Sequence, residues 1–139
     1  MVLPSELDSI VGAQELYDWF GYWPGFHDAE VLKLVLSVGE PSCLVVRTWE
    51  MTNGVNTQGF YELTKHVVVE FALKGISSVN IGDFWERSIL LDLGVGKTEN
   101  GFRLNFSAAC GIYGTIEAQG LSLRLTPGKP NPAPSTAPG

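Results

Sequence analysis

Apolar residues in this chain recur at every second position, in runs about as long as one strand. His66–Lys74 sets Val67, Val69, Phe71 and Leu73 on one face and His66, Val68, Glu70, Ala72 and Lys74 on the other. Phe102–Ala108 sets Phe102, Leu104, Phe106 and Ala108 against Arg103, Asn105 and Ser107. A period of two belongs to extended chain, whose successive side chains point to opposite sides of a sheet. A fold built on such runs needs a sheet with one face buried.

The other runs extend the pattern. Glu30–Val38 aligns Leu32, Leu34, Leu36 and Val38, and Cys43–Met51 is rich in β-branched and aromatic residues. With Glu40-Pro41-Ser42 as the turn, these two predict an antiparallel hairpin. Asn53–Gly59 reads as a polar loop, and Val79–Ile81 as no more than an edge piece. Ile89–Val95 aligns Ile89, Leu91, Leu93 and Val95. In Ile112–Leu125 the apolar residues move from even to odd positions at Gln119-Gly120, which predicts a bulge or corner at Gly120.

Helical spacing occurs once, over Ala13–Phe20, where Leu16, Trp19 and Phe20 share a face. Gly12 or Ser9 is placed to cap its start, and Gly21 and Pro24 stop it. Turn signals recur roughly every ten residues with no long helix between strands, which favours an antiparallel sheet over βαβ units. The expected fold is α+β: a mainly antiparallel sheet, as a single curved sheet or a small sandwich, with a short N-terminal helix. At 139 residues the chain suits one domain, expected over residues 1–126. A chain of that size buries close to ~70% of its unfolded surface, so its core needs no disulfide or structural metal. Residues 127–139, PGKPNPAPSTAPG, offer nothing large to bury and predict a disordered tail.

The net charge of −6 is concentrated at one end. Residues 1–32 hold Glu6, Asp8, Glu15, Asp18, Asp28 and Glu30 and no Lys or Arg, while the remainder balances. An acidic protein of this kind is no general nucleic-acid binder, which needs a basic footprint. It suits a basic partner, although acids at a helix start also serve solubility. The chain opens without the basic and apolar regions of a signal peptide, and no apolar run is long enough to span a membrane. A cytoplasmic protein with free, buried Cys43 and Cys110 is expected, although the sequence leaves a bridge between them open.

The densest stretch is Trp19–Glu30, WFGYWPGFHDAE, which links helix to first strand. One reading is structural: Trp23 and Phe26 plug the core, and the Asp28 carboxylate accepts backbone N–H groups. A second is partner contact, with Glu15, Asp18, Asp28 and Glu30 steering and Trp19, Tyr22 and Trp23 anchoring beside His27. A third is chemistry on His27, Asp28 and Glu30, as a small metal-dependent enzyme. Zinc would lack further ligands there, and adjacent side chains on extended chain point apart. His66 and Glu70 share a strand face but stand roughly 13 Å apart, too far for one metal. Gly94–Thr98 ends in GKT without the rest of a phosphate loop, and no GxSxG, HExxH or CxxC motif occurs. Trp49, Trp85 and Tyr113 are candidates for an exposed aromatic patch or for core filling. No cofactor is expected.

At Phe20–Val31 the chain resembles the immunity protein 50 family of bacterial polymorphic toxin systems. The pattern WPxFHDxE is matched by Trp23, Pro24, Phe26, His27, Asp28 and Glu30. Weaker likeness continues at Lys65–Phe84, Ser88–Leu93 and Gly111–Glu117. The resemblance implies a small cytoplasmic α+β protein that binds and neutralises a cognate toxin domain without catalysis. Self-association through a sheet edge is a further possibility that the strand pattern leaves open.

Overall fold

The computed structural model describes residues 3–55, 61–84 and 87–128. A 3-10 turn at Ser5–Leu7 leads to helix α1 (Ala13–Phe20). Six strands follow among the described residues: β1 (Glu30–Val35), β2 (Ser42–Val55), β3 (Tyr61–Gly82), β4 (Ser88–Thr98), β5 (Gly101–Cys110) and β6 (Tyr113–Pro127). Every strand pairing is antiparallel, and the order β1-β2-β3-β6-β5-β4 closes into a barrel. The sheet is therefore single and curved far enough to meet itself. Asn53, Gly54 and Val55 extend β2, and the rest of the polar stretch expected as a loop, residues 56–59, lies outside the described residues. Pro127 ends β6, and residues 129–139 also lie outside them.

Inward residues from every strand form one core, with Leu44 and Val46 against Val67, Val69, Phe71 and Leu73, and Leu104, Phe106 and Ile116 opposite. Helix α1 covers it with Ala13, Leu16, Tyr17 and Phe20, the spacing of one helical face. The helix docks tightly because Gly12 precedes it. Gly12 has φ +92°, and a Cβ there would collide with the carbonyl of Leu123. Beside it the Leu123 N–H donates to the Val11 carbonyl at 2.7 Å. Among the described residues the buried Tyr17 hydroxyl has no hydrogen-bond partner. A buried unmet hydroxyl costs about 1–3 kcal/mol. Tyr17→Phe is therefore expected to raise stability by about 1 kcal/mol, read as a higher urea midpoint. A lower midpoint would show that the hydroxyl is satisfied.

Two expected faces are corrected. Pairing steps from Val31↔Val46 to Lys33↔Val45, so Leu32 is an extra residue and turns outward. Val31 and Leu34 face the core instead, and Leu36 and Val38 stand exposed beyond the strand. In β4, Leu90↔Ala108 is followed by Asp92↔Ser107, which leaves Leu91 outside while Leu90 and Leu93 are buried. Each bulge flips the parity that follows it. Val79–Ile81 is likewise no separate piece but part of the 22-residue β3. The corner expected at Gly120 is present, and β3 shares it. Leu73 pairs with Leu121, yet the next inward pair is Ile76 and Ala118. Gly75, at φ +65°, lets β3 make that turn.

Candidate functional site

The segment that follows α1 closes the barrel. Gly21 ends the helix by donating its N–H to the Tyr17 carbonyl, and Pro24 is buried. Residues 25–31 then run along β4. The Gly25 carbonyl accepts from Leu93 N–H at 3.1 Å, Asp28 N–H donates to the Leu90 carbonyl at 2.9 Å, and Leu90 N–H donates to the Ala29 carbonyl at 2.9 Å. Glu30↔Ile89 and Val31↔Ser88 continue the seam. Phe26 and Asp28 adopt left-handed backbone, φ +61° and +65°. This turns the Phe26 ring into the core, 2% exposed and edge-on to Phe71 at 5.6 Å.

The structural reading of Trp19–Glu30 is thus correct for Phe26 and in part for Trp23, which packs half-buried against the core. It is corrected at Asp28, whose backbone N–H makes the seam bond. The Asp28 carboxylate meets His27 instead, with Oδ2 3.2 Å from Nδ1. Adjacent side chains would diverge on extended chain, and the left-handed turn at Asp28 brings them together. The His27 side chain is 70% exposed.

A shallow cleft of about 400 Å³ lies between this loop and β2, bounded by Tyr22, Phe26, His27, Asp28, Trp49 and Glu50. The Tyr22 hydroxyl donates to Glu50 Oε2 at 2.9 Å. Glu50 also faces Lys65 Nζ at 3.5 Å, and Lys65 donates to the Phe20 carbonyl at the helix C-terminus. Trp19, half-buried, donates its indole N–H to the Lys65 carbonyl at 2.8 Å. Glu30 is held by Arg47 at 2.7 Å, directly across the β1–β2 pair, and the guanidinium lies 4.6 Å from the Trp49 ring centroid. Glu15 and Asp18 remain exposed on α1, where Asp18 accepts from Gln14.

The structure therefore brings Tyr22, His27 and Asp28 together on one rim and places Glu15 and Asp18 on the adjoining helix. It takes Glu30 into a salt bridge and tucks Trp19 and Trp23 against the body. Sequence reasoning missed Arg47, Glu50 and Lys65. Arg47 and Trp49 share parity in a legible strand, and that was the only available signal.

Burial, then the hydrogen bond to Glu50, then repulsion from its carboxylate raise the Tyr22 phenol above the ordinary 10.0. The folded state thus keeps a proton that the unfolded chain releases first. Tyr22 supports folding fully below pH 10, and that support is lost as pH rises through the higher folded value. Replacing Glu50 by Gln should return the phenol toward 10, measured by ultraviolet titration against a Tyr22→Phe reference. An unchanged titration would contradict the coupling.

His66 does not line the cleft; its ring packs near Trp49, centroids 6.1 Å apart. Glu70 pairs with Arg124 at 3.1 Å. Among the described residues no three of His, Cys, Asp and Glu gather as a metal site. Among the described residues, the aromatic candidates Trp49 and Tyr113 form no single patch. Trp49 is half-buried beside Arg47, Tyr113 lies exposed across Gly82 at the far end of β3, and Trp85 is outside the described residues. Cys43 and Cys110 are free thiols on separate strands, as expected, but half-buried rather than buried. No helix among the described residues is long and apolar enough to cross a membrane. Compared with known proteins, the chain matches no family model, no curated protein and no solved structure.

Proposed function

We propose that this chain is an immunity-type binding protein that occludes a cognate toxin domain in the cytoplasm and performs no catalysis. A toxin domain is the partner suggested by the likeness of the WPxFHDxE segment, Trp23–Glu30, to immunity proteins. One observation carries the case for binding: the Gly25–Val31 backbone is locked into the barrel seam while its His27 and Asp28 side chains, with Tyr22 just before it, line one exposed cleft. A surface already held in shape loses little ordering entropy on binding. Exposed Glu15 and Asp18 beside it suit a basic partner. The test is titration calorimetry against the inactivated toxin domain encoded by the adjacent upstream gene. One-to-one binding is expected. No heat of binding with a folded partner would overturn the reading.

A further inference from the structure

Among the described residues, one edge of strand β3 pairs with no strand over its last nine residues, Lys74–Gly82. Against β6 it pairs from Val67↔Pro127 to Gly82↔Tyr113, but against β2 it pairs only as far as Ser42↔Leu73. Among the described residues, Lys74–Gly82 therefore has a strand on one side only. After the slip at Ser77, Ser78–Gly82 runs regularly against Tyr113–Glu117. Lys74 opens this edge, and beyond it residues 75–82 carry no charge and no proline, two of the protections of an open edge.

The two ends of this edge match each other. At its start lies a groove of about 760 Å³, walled by Leu36, Val38 and Pro41 from the β1–β2 tip and by Ile76 and Val79 of β3. Val79 is 41% exposed on the strand's inward side. Just past its end, Phe84 stands 63% exposed.

We propose that two copies of this chain pair antiparallel along this edge, about a two-fold axis at Asn80. That register sets Val79 of each copy opposite Ile81 of the other, and both residues belong to the inward face. Matched parity is what an antiparallel pair requires. Past the slip at Ser77 the register brings each Phe84 beside Gly75 and Ile76 of the other copy, at the mouth of the groove. A knob and a hole at opposite ends of one edge are what a two-fold axis makes complementary, so a second copy fits better than a foreign strand. The surface lies at the end of β3 remote from Lys65 and the cleft. The proposal is thus independent of the toxin reading.

The test is residue-specific crosslinking in a Cys43→Ala, Cys110→Ala background. Residues directly opposed in an antiparallel pair have Cα atoms about 4.5–5.5 Å apart, a separation that a disulfide spans. Asn80→Cys should link to itself under mild oxidation. Ser78→Cys, which would face Gly82, should not. Sedimentation of the wild-type chain should show dimer, and Phe84→Asp should weaken it at least about tenfold. Phe84 is exposed, and circular dichroism confirms that the variant folds. A wild-type monomer at millimolar concentration, equal linking at positions 80 and 78, or a dimer indifferent to Phe84→Asp would each overturn the proposal.

Discussion

Phe26→Ala should cost this protein about 3–5 kcal/mol of stability. The ring is 2% exposed and packs on Phe71, so truncation leaves a cavity inside the barrel. The loss extends beyond the cavity. Phe26 sits at φ +61°, and its carbonyl accepts the Ala29 N–H at 3.1 Å. The inserted ring holds that turn, and the turn aligns the bonds to Leu90 and Leu93 that close the sheet. Set against a total of about 5–15 kcal/mol for a domain, the change should move the urea midpoint far down with little change in slope. His27→Ala, one residue on and exposed, should stay within about 0.5 kcal/mol. Equal effects at both positions would show that the seam is not what Phe26 supports.

Reversing Glu15, Asp18 and Asp28 to Lys should slow association with a basic toxin domain by about ten- to a hundredfold at low salt. Each reversal adds two charges, so the net moves from −6 to 0. These acids are the ones to change, because Glu30 and Glu50 are already faced by Arg47 and Lys65. Exposed charges act at a distance, so the effect belongs to the on-rate and should fade by about 0.5 M salt. Stopped-flow rates across salt concentrations decide the matter. An unchanged on-rate with intact folding would remove these acids from the encounter.

Alternation located the strands because one-sided burial imprints itself at every second residue. It misjudged the faces at Leu32 and Leu91 because a bulge inverts parity and no local residue announced either one. At Gly120 two apolar runs of opposite parity met inside one strand, so the corner was legible. The facing turn at Gly75 was not, because Ser77 and Ser78 interrupt the pattern there. The candidate site divides the same way. Tyr22, His27 and Asp28 were legible as a dense polar and aromatic loop. Their meeting depends on left-handed backbone at Phe26 and Asp28, which no composition rule assigns to those residue types. The salt bridges of Glu30 to Arg47 and Glu50 to Lys65 depend on strand register and closure, which link residues far apart in sequence.

The central claim is that one loop both closes the barrel and presents the partner face. Hydroxyl-radical footprinting of the chain, free and saturated with the inactive toxin domain, tests it most directly. Tyr22, 41% exposed, and His27 should label in the free protein and be shielded in the complex. Tyr113, exposed at the far end of β3, should label equally in both. Shielding of Tyr113 with Tyr22 and His27 left open would contradict the account and place the partner on the opposite end of the barrel.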